Sequence, residues 1–387
     1  DLCAAPGGKT THAADLMGDR GALVASDVSE GRIRGLLGNV YRLGHPNILV
    51  VAGDGRGFPG GARFDRVLVD APCSGEGTLR RRGGRPPQQS RSFVGYVTRM
   101  QEDLLRRAIA LTRPGGTVLY VTCTFAPEEN EAVVSRVLFD APVDLDPLDL
   151  PVPHAPGLTR FEGETFDPRL EGAARVYPHH LDSGGLFLAR LRRLDAPGAA
   201  EAAEDAGGWS PVPVVFPDDG MDSAEAGRLV AAGLEALDHF GVDARVFEGL
   251  SWMARGGRLW LHGLPSWPLA GWAEGAWRTI SVGFRAMEFD TSGRPRPTND
   301  LLQWLGDAVT ENAVDLDDDE LLAACAGRPV PREETLHGLL ALRYRGAVLG
   351  RGAATPDGVR NEIPKTRRSD LRAVVEGSGG EPAAEAE

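Results

Sequence analysis

Between residues 22 and 191, short apolar runs alternate with longer amphipathic ones, and this alternation leaves few folds open. Residues 22–26, 47–51, 64–69 and 117–121 read as strands, with a late strand over 185–191. Residues 29–43, 98–111 and 128–138 have helical spacing between them, with Ser29 a suitable N-cap and Pro114-Gly115-Gly116 a stop signal. The pattern predicts a mostly parallel α/β sheet with helices on both faces. Ligands of such sheets gather beyond the C-terminal ends of the strands. There the sequence places Asp27, Gly53-Asp54-Gly55, Asp70-Ala-Pro-Cys73 and Thr122-Cys123-Thr124.

The segment Cys3-Ala4-Ala5-Pro6-Gly7-Gly8-Lys9-Thr10 packs small residues at a strand-to-helix turn. Such a turn lets a ligand approach the backbone, and the helix that follows favours a carboxylate at its N-terminus. Asp27 lies 19 positions after Gly8, where a carboxylate can accept hydrogen bonds from ribose hydroxyls. Asp54, one strand later, is placed to meet an adenine. The spacing is neither that of a dinucleotide-binding GxGxxG nor that of a P-loop. Only Asp1-Leu2 precede the loop, so the central strand is expected to be cut short and the chain to be N-terminally truncated.

The four cysteines, at 3, 73, 123 and 325, form no CxxC pair and no zinc spacing. They suggest a reducing compartment, the cytoplasm, with thiols either buried or reactive. One cysteine after an apolar strand is usually a small buried hydrophobe. Two at strand ends, one framed by Asp-x-Pro and Ser-Gly, suggest chemistry. Cys3 and Cys325 are assigned to packing.

The chain has 387 residues, enough for more than one domain. No stretch approaches the roughly 20 apolar residues that cross a bilayer. The net charge of −13 argues against a protein held on nucleic acid by charge alone. Basic residues nevertheless cluster at Arg80, Arg81, Arg82, Arg85 and Arg91, and only Lys9 and Lys365 are lysines. Residues 195–208 read as a small, acidic linker between a domain over 1–194 and a region over 209–372. Helices are expected over 299–309 and 317–326, a hairpin over 339–344 and 347–350, and a disordered tail over 373–387.

The segments DLCAAPGGKT, ASDVSEGRI, GDG, DAPCSGEGT and TCTFAPEENE occur in this order, followed by PHHLDSGGLFLARL. Together they resemble the Nop/Sun family of RNA cytosine-5 methyltransferases over about residues 1–191. The resemblance implies a Rossmann-like class I methyltransferase sheet and S-adenosyl-L-methionine as cofactor. It implies that Cys123 is the nucleophile, that Cys73 assists product release, and that Asp70 and Lys9 contact the target base. Ala4, Ala5, Pro6, Gly7, Gly8, Lys9, Asp27, Arg32, Asp54 and Asp70 would hold the cofactor. Residues 346–352 and 358–365 resemble the smaller α+β, PUA-like ending of the RsmF-type ribosomal RNA branch. Arg80, Arg81, Arg360, Lys365, Arg367 and Arg368 would then suit RNA phosphates. The run Leu79-Arg80-Arg81-Arg82 departs from the family, which usually has a basic residue before an Asn/Asp-Pro step.

The implied partner is RNA, ribosomal RNA first and transfer RNA second, with no metal and no membrane. Two rivals stand beside this reading. In DNA cytosine-5 methyltransferases the Pro-Cys cysteine itself attacks, which would make Cys73 the nucleophile. A non-catalytic ribosome-assembly protein could keep the fold, although Cys73, Cys123, Asp70 and Lys9 are all present.

Overall fold

The computed structural model describes residues 1–60, 64–78, 90–194, 223–263, 277–332 and 336–377. Strands β1 (Leu23–Asp27) and β2 (Ile48–Ala52) pair in parallel, as do β3 (Phe64–Asp70) and β4 (Thr112–Thr122). Residues 1–4 lie between the two pairs. Ser26 N donates to Asp1 O (2.9 Å), Leu2 N to Leu68 O (3.0 Å) and Ala4 N to Ser26 O (2.8 Å). The first residues thus join β1 to β3, and the strand ends at Asp27, Asp70 and Thr122 fall on one edge.

Helix α1 (Gly8–Met17) leaves this junction, and α2 (Glu30–Leu43) follows β1. Ser29 caps α2 by accepting from Arg32 N, as its position predicts. Helix α3 (Arg91–Leu111) begins seven residues earlier than its apolar spacing suggests. The reason is Ser90, whose hydroxyl accepts from Phe93 N at 3.2 Å and caps the first turn. Pro114-Gly115-Gly116 does not separate helix from strand: β4 starts at Thr112 and takes the three residues up as a shift of register against β3. Helix α4 (Glu131–Asp140) starts after a turn, and β5 (Val143–Leu145), β6 (Ala174–Val176) and β7 (Leu186–Arg193) complete the antiparallel side, β7 lying against β4. Buried Val67, Val69, Val118, Tyr120, Phe187 and Leu105 form the core between sheet and helices.

The linker expected at 195–208 lies outside the described residues. Beyond it, α5 (Ser223–Asp238) packs on a four-stranded sheet of β8 (Ser251–Arg255), β9 (Arg258–His262), β11 (Phe284–Phe289) and β12 (Pro295–Pro297). Strand β10 (Arg278–Val282) does not join that sheet. It pairs antiparallel with β2 and so closes the edge of the first sheet. Helix α6 (Asn299–Leu305), capped by Thr298, leads to a mixed sheet of β13 (Ala313–Leu316), β14 (Leu339–Tyr344), β15 (Ala347–Thr355) and β16 (Gly358–Asn361). Helix α7 (Asp318–Cys325) starts with a capping box between Asp317 and Glu320. The hairpin turns at Arg345-Gly346, both with positive φ. Helix α8 (Lys365–Gly377) corrects one expectation: residues 373–377 are helical, Val375 being buried against the last sheet. Among the described residues no helix is long and apolar enough to cross a membrane.

Candidate active site

Strands β3 and β4 are neighbours, with Asp70 paired to Val121, so the segments after them leave the sheet side by side. This brings the Sγ atoms of Cys73 and Cys123, fifty positions apart in sequence, to 3.2 Å. Lys9, at the start of α1, donates to Asp70 Oδ2 at 2.7 Å. Both charges act on the Cys123 thiol.

The two sulfurs are not equivalent. A hydrogen bond from Cys73 lowers the Cys123 thiol to about 7, helped by Lys9 and opposed by burial and Asp70. Cys73 is pushed up instead, by donating that hydrogen bond and by burial. The pair thus favours a thiolate on Cys123 and a thiol on Cys73. Cys3 packs against the core, and its thiol is pushed up to about 12 by burial and then by Asp27 and Asp70. Cys325 is buried in the last sheet's core. Both agree with packing roles.

Four residues that sequence reasoning did not single out hold the cysteine segments. Glu129 accepts from Ser74 N (3.0 Å) and from Gln101 Nε2 (2.9 Å), which also donates to Pro72 O (2.8 Å). Asn130 accepts from Thr122 Oγ1 (2.5 Å) and donates to Thr124 O (3.0 Å), bracketing Cys123. Glu76 Oε2 accepts from Thr124 Oγ1 and Phe125 N, both at 3.2 Å, tying the Cys73 loop to the Cys123 loop. The only sequence signal was the carboxylate-rich Glu128-Glu129-Asn130 run so soon after Cys123.

The small-residue loop forms a cradle. Gly7 has φ +104°, and a Cβ there would meet the Leu36 side chain at 2.7 Å. Thr11 N donates to Gly7 O, which leaves the first N–H groups of α1 without intrahelical partners, the arrangement that receives a carboxylate. At the end of β1, Asp27 accepts from Ala5 N (3.2 Å) and Ser29 N (2.9 Å). Its carboxylate is only 2% exposed, with the Arg32 guanidinium 3.4 Å away. Arg32 also donates to Ala5 O. Asp54 caps its own turn through Arg56 N (3.0 Å) and pairs with the Arg56 guanidinium. The free N–H groups at the start of α1 and the carboxylates of Asp27 and Asp54 offer the donors and acceptors that a carboxylate-bearing nucleoside needs.

Of the residues expected to meet phosphates, Arg80 and Arg81 lie outside the described residues. Arg360 pairs with Glu362 (3.1 Å), Arg367 with Asp300, and Arg368 donates to Ile363 O (2.9 Å). Lys365 is exposed. Arg360, Lys365, Arg367 and Arg368 belong to the last sheet and its following helix, not to the sheet that carries the cysteines. Among the described residues no cluster of His, Cys, Asp and Glu could hold a metal ion.

A family model described as 16S rRNA methyltransferase RsmB/F matches residues 1–192. Ribosomal RNA small subunit methyltransferase F of Aeromonas salmonicida (strain A449) is 32% identical over 373 residues, covering 94% of this chain and 72% of that protein. The chain belongs to the RsmB/F methyltransferase family. A second relative, 28S rRNA (cytosine-C(5))-methyltransferase of Mus musculus, is 38% identical over 201 residues, covering 50% of this chain and 25% of that protein. The solved structure of a methyltransferase homologue from Pyrococcus horikoshii is 33% identical with a TM-score of 0.44, covering 50% of this chain and 60% of that one. The chain thus spans a quarter of the mouse relative and nearly three quarters of the bacterial one. The RsmB/F match coincides with the sheet that carries both cysteines. The bacterial relative extends the similarity through the C-terminal region.

Proposed function

We propose that this RsmB/F-family chain methylates carbon 5 of an unpaired cytosine in ribosomal RNA, by way of a covalent bond between Cys123 and carbon 6. The observation that carries the reading is the cysteine pair itself, two sulfurs 3.2 Å apart beyond the ends of neighbouring strands. Carbon 5 of cytosine is a poor nucleophile. Addition of the Cys123 thiolate to carbon 6 moves electron density to carbon 5, and Asp70, held by Lys9, manages the charge that develops at N3. S-adenosylmethionine, when bound, supplies a methyl group on a sulfonium. Gly7, Gly8 and the N-terminus of α1 receive its carboxylate, Asp27 its ribose and the Asp54 loop its adenine. After transfer, carbon 5 carries both the methyl and a hydrogen. Removal of that hydrogen as a proton re-forms the ring double bond and expels Cys123 as a thiolate. Once Cys123 is bonded to carbon 6 its sulfur no longer holds the Cys73 proton; Cys73 can then ionise and accept the carbon 5 proton as Cys123 leaves.

The target base must be unstacked, since a thiolate does not reach carbon 6 inside a helix. In this reading residues 1–194 are the catalytic domain, and 209–372, with its PUA-like ending, docks RNA. A working thiolate also requires a reducing compartment, which makes the cytoplasm the proposed location.

Cys123→Ala is expected to abolish methyl transfer. Cys73→Ala is expected to accumulate an RNA adduct that survives denaturing electrophoresis. If the adduct persists without Cys123 and requires Cys73, the roles are reversed and the assignment fails. Bisulfite sequencing of RNA from cells lacking the protein identifies the substrate; loss of a signal from transfer RNA alone would overturn the ribosomal reading.

A further inference from the structure

Strand β10 comes from the C-terminal region, yet it is part of the first sheet. Arg278 pairs with Ala52 and Val282 with Leu49, so β10 runs antiparallel to β2 and begins at the ligand edge. The residue entering the strand is Trp277. Its Nε1 donates to Gly57 O at 3.2 Å, and its ring meets Phe58 edge-on at 4.9 Å between centroids. The indole also lies on Gly53, where a Cβ would come within 2.4 Å of the ring. Trp277 therefore grips the whole turn over residues 53–58, the turn that carries Asp54. Gly53 N donates to Asp27 O at 3.1 Å, so the turn is tied to the end of β1 as well. One residue on, Arg278 reaches Glu30 at 2.5 Å, beside the cap of α2. That ion pair is exposed and contributes little by itself.

We propose that Trp277 is a positioning residue for the cofactor, supplied to the catalytic sheet by the C-terminal region. By packing on Gly53 and hydrogen-bonding Gly57, it fixes the loop that faces the adenine end of S-adenosylmethionine. A ligand that finds this loop already ordered loses less free energy to ordering it on binding. The C-terminal region then acts on cofactor affinity as well as on RNA. The inference rests on the reading that Asp27 and the Asp54 turn bracket the adenosine.

Binding of S-adenosylhomocysteine to the full chain, measured by calorimetry, tests it. Trp277→Ala is expected to weaken binding about tenfold, the loss from one hydrogen bond and one aromatic contact. KM for S-adenosylmethionine should rise in proportion, while kcat at saturating cofactor and RNA affinity stay within about twofold, as for lost ground-state binding. Trp277→Phe, which keeps a ring on Gly53 but loses the hydrogen bond to Gly57, should fall between wild type and Trp277→Ala. Gly53→Ala should weaken binding by displacing the indole, and the double variant should be no weaker than Trp277→Ala alone, because the two changes break one contact. A folded Trp277→Ala protein with cofactor affinity within about twofold of wild type overturns the proposal. So does an equal loss of cofactor and RNA affinity. If Trp277→Ala fails to fold, wild-type affinity in both Trp277→Phe and Gly53→Ala overturns it. Wild-type protein that binds no S-adenosylhomocysteine would instead sink the methyltransferase reading, and this one with it.

Discussion

Cys73 and Cys123 have the same side chain and end neighbouring strands, yet the hydrogen bond between them makes them unlike. The sulfur that receives it is stabilised as an anion, and the sulfur that gives it is kept protonated. The sign of the pH effect follows. With Cys123 lowered to about 7, the thiolate fraction falls as pH drops through that value and is nearly full above it. The rate of adduct formation under single-turnover conditions should therefore rise with pH and level off above about 7. Removing the donor by Cys73→Ala should move the inflection up toward the ordinary thiol range of about 8.5. An inflection that stays in place would mean that Lys9, not Cys73, sets the thiolate.

At the scale of elements, the start of α4 works as a bracket for the site. Asn130 holds the carbonyl and hydroxyl on either side of Cys123, and Glu131 anchors the next layer out. Arg175 on β6 donates to both Glu131 oxygens and, at 3.0 Å, to Phe125 O, with the ion pair fully buried. The two neighbours should fail differently. Arg175→Ala leaves a buried carboxylate unpaired and should cost about 3–5 kcal/mol of stability, read by denaturant unfolding. Asn130→Ala removes two hydrogen bonds, worth about 1 kcal/mol each, but disorders the nucleophile's segment. It should lower the adduct-formation rate far more than it lowers stability. Equal losses in both properties would show that Asn130 is only structural. The run Glu128-Glu129-Asn130 was visible in the sequence, but its partners were not. Gln101, Ser74 and Thr122 come from three other segments, and only folding brings them within hydrogen-bond reach.

At the scale of the molecule, the chain does not divide cleanly at residue 194. Strand β10 covers the outer edge of β2, Val282 enters the core of the first sheet, and Tyr41 on α2 donates to Ser281 Oγ at 3.1 Å. A fragment ending at residue 194 would expose the edge of β2, with Val50 and Ile48 losing their cover. Such a fragment should aggregate, or melt well below the full chain, and co-expressing residues 209–377 should restore its solubility. A monomeric fragment with the melting temperature of the full chain would show that β10 is dispensable to the sheet.

The sequence by itself determined the order of the main strands and helices over residues 22–138, the small-residue cradle and the presence of acids and thiols at strand ends; the elements between 223 and 297 were not legible in it. These depend on local periodicity and on residue chemistry at each turn, which are short-range properties. Element limits were less legible where a cap or a register shift overrode the apolar pattern, as at Ser90 and at Pro114-Gly115-Gly116. Tertiary structure alone decided which strand ends are neighbours. It placed Cys73 against Cys123, set Arg32 beside Asp27, and brought β10 to the edge of β2 from more than two hundred residues away. Pairing between distant strands depends on which edges remain open once the core has formed, and no local run of residues encodes that.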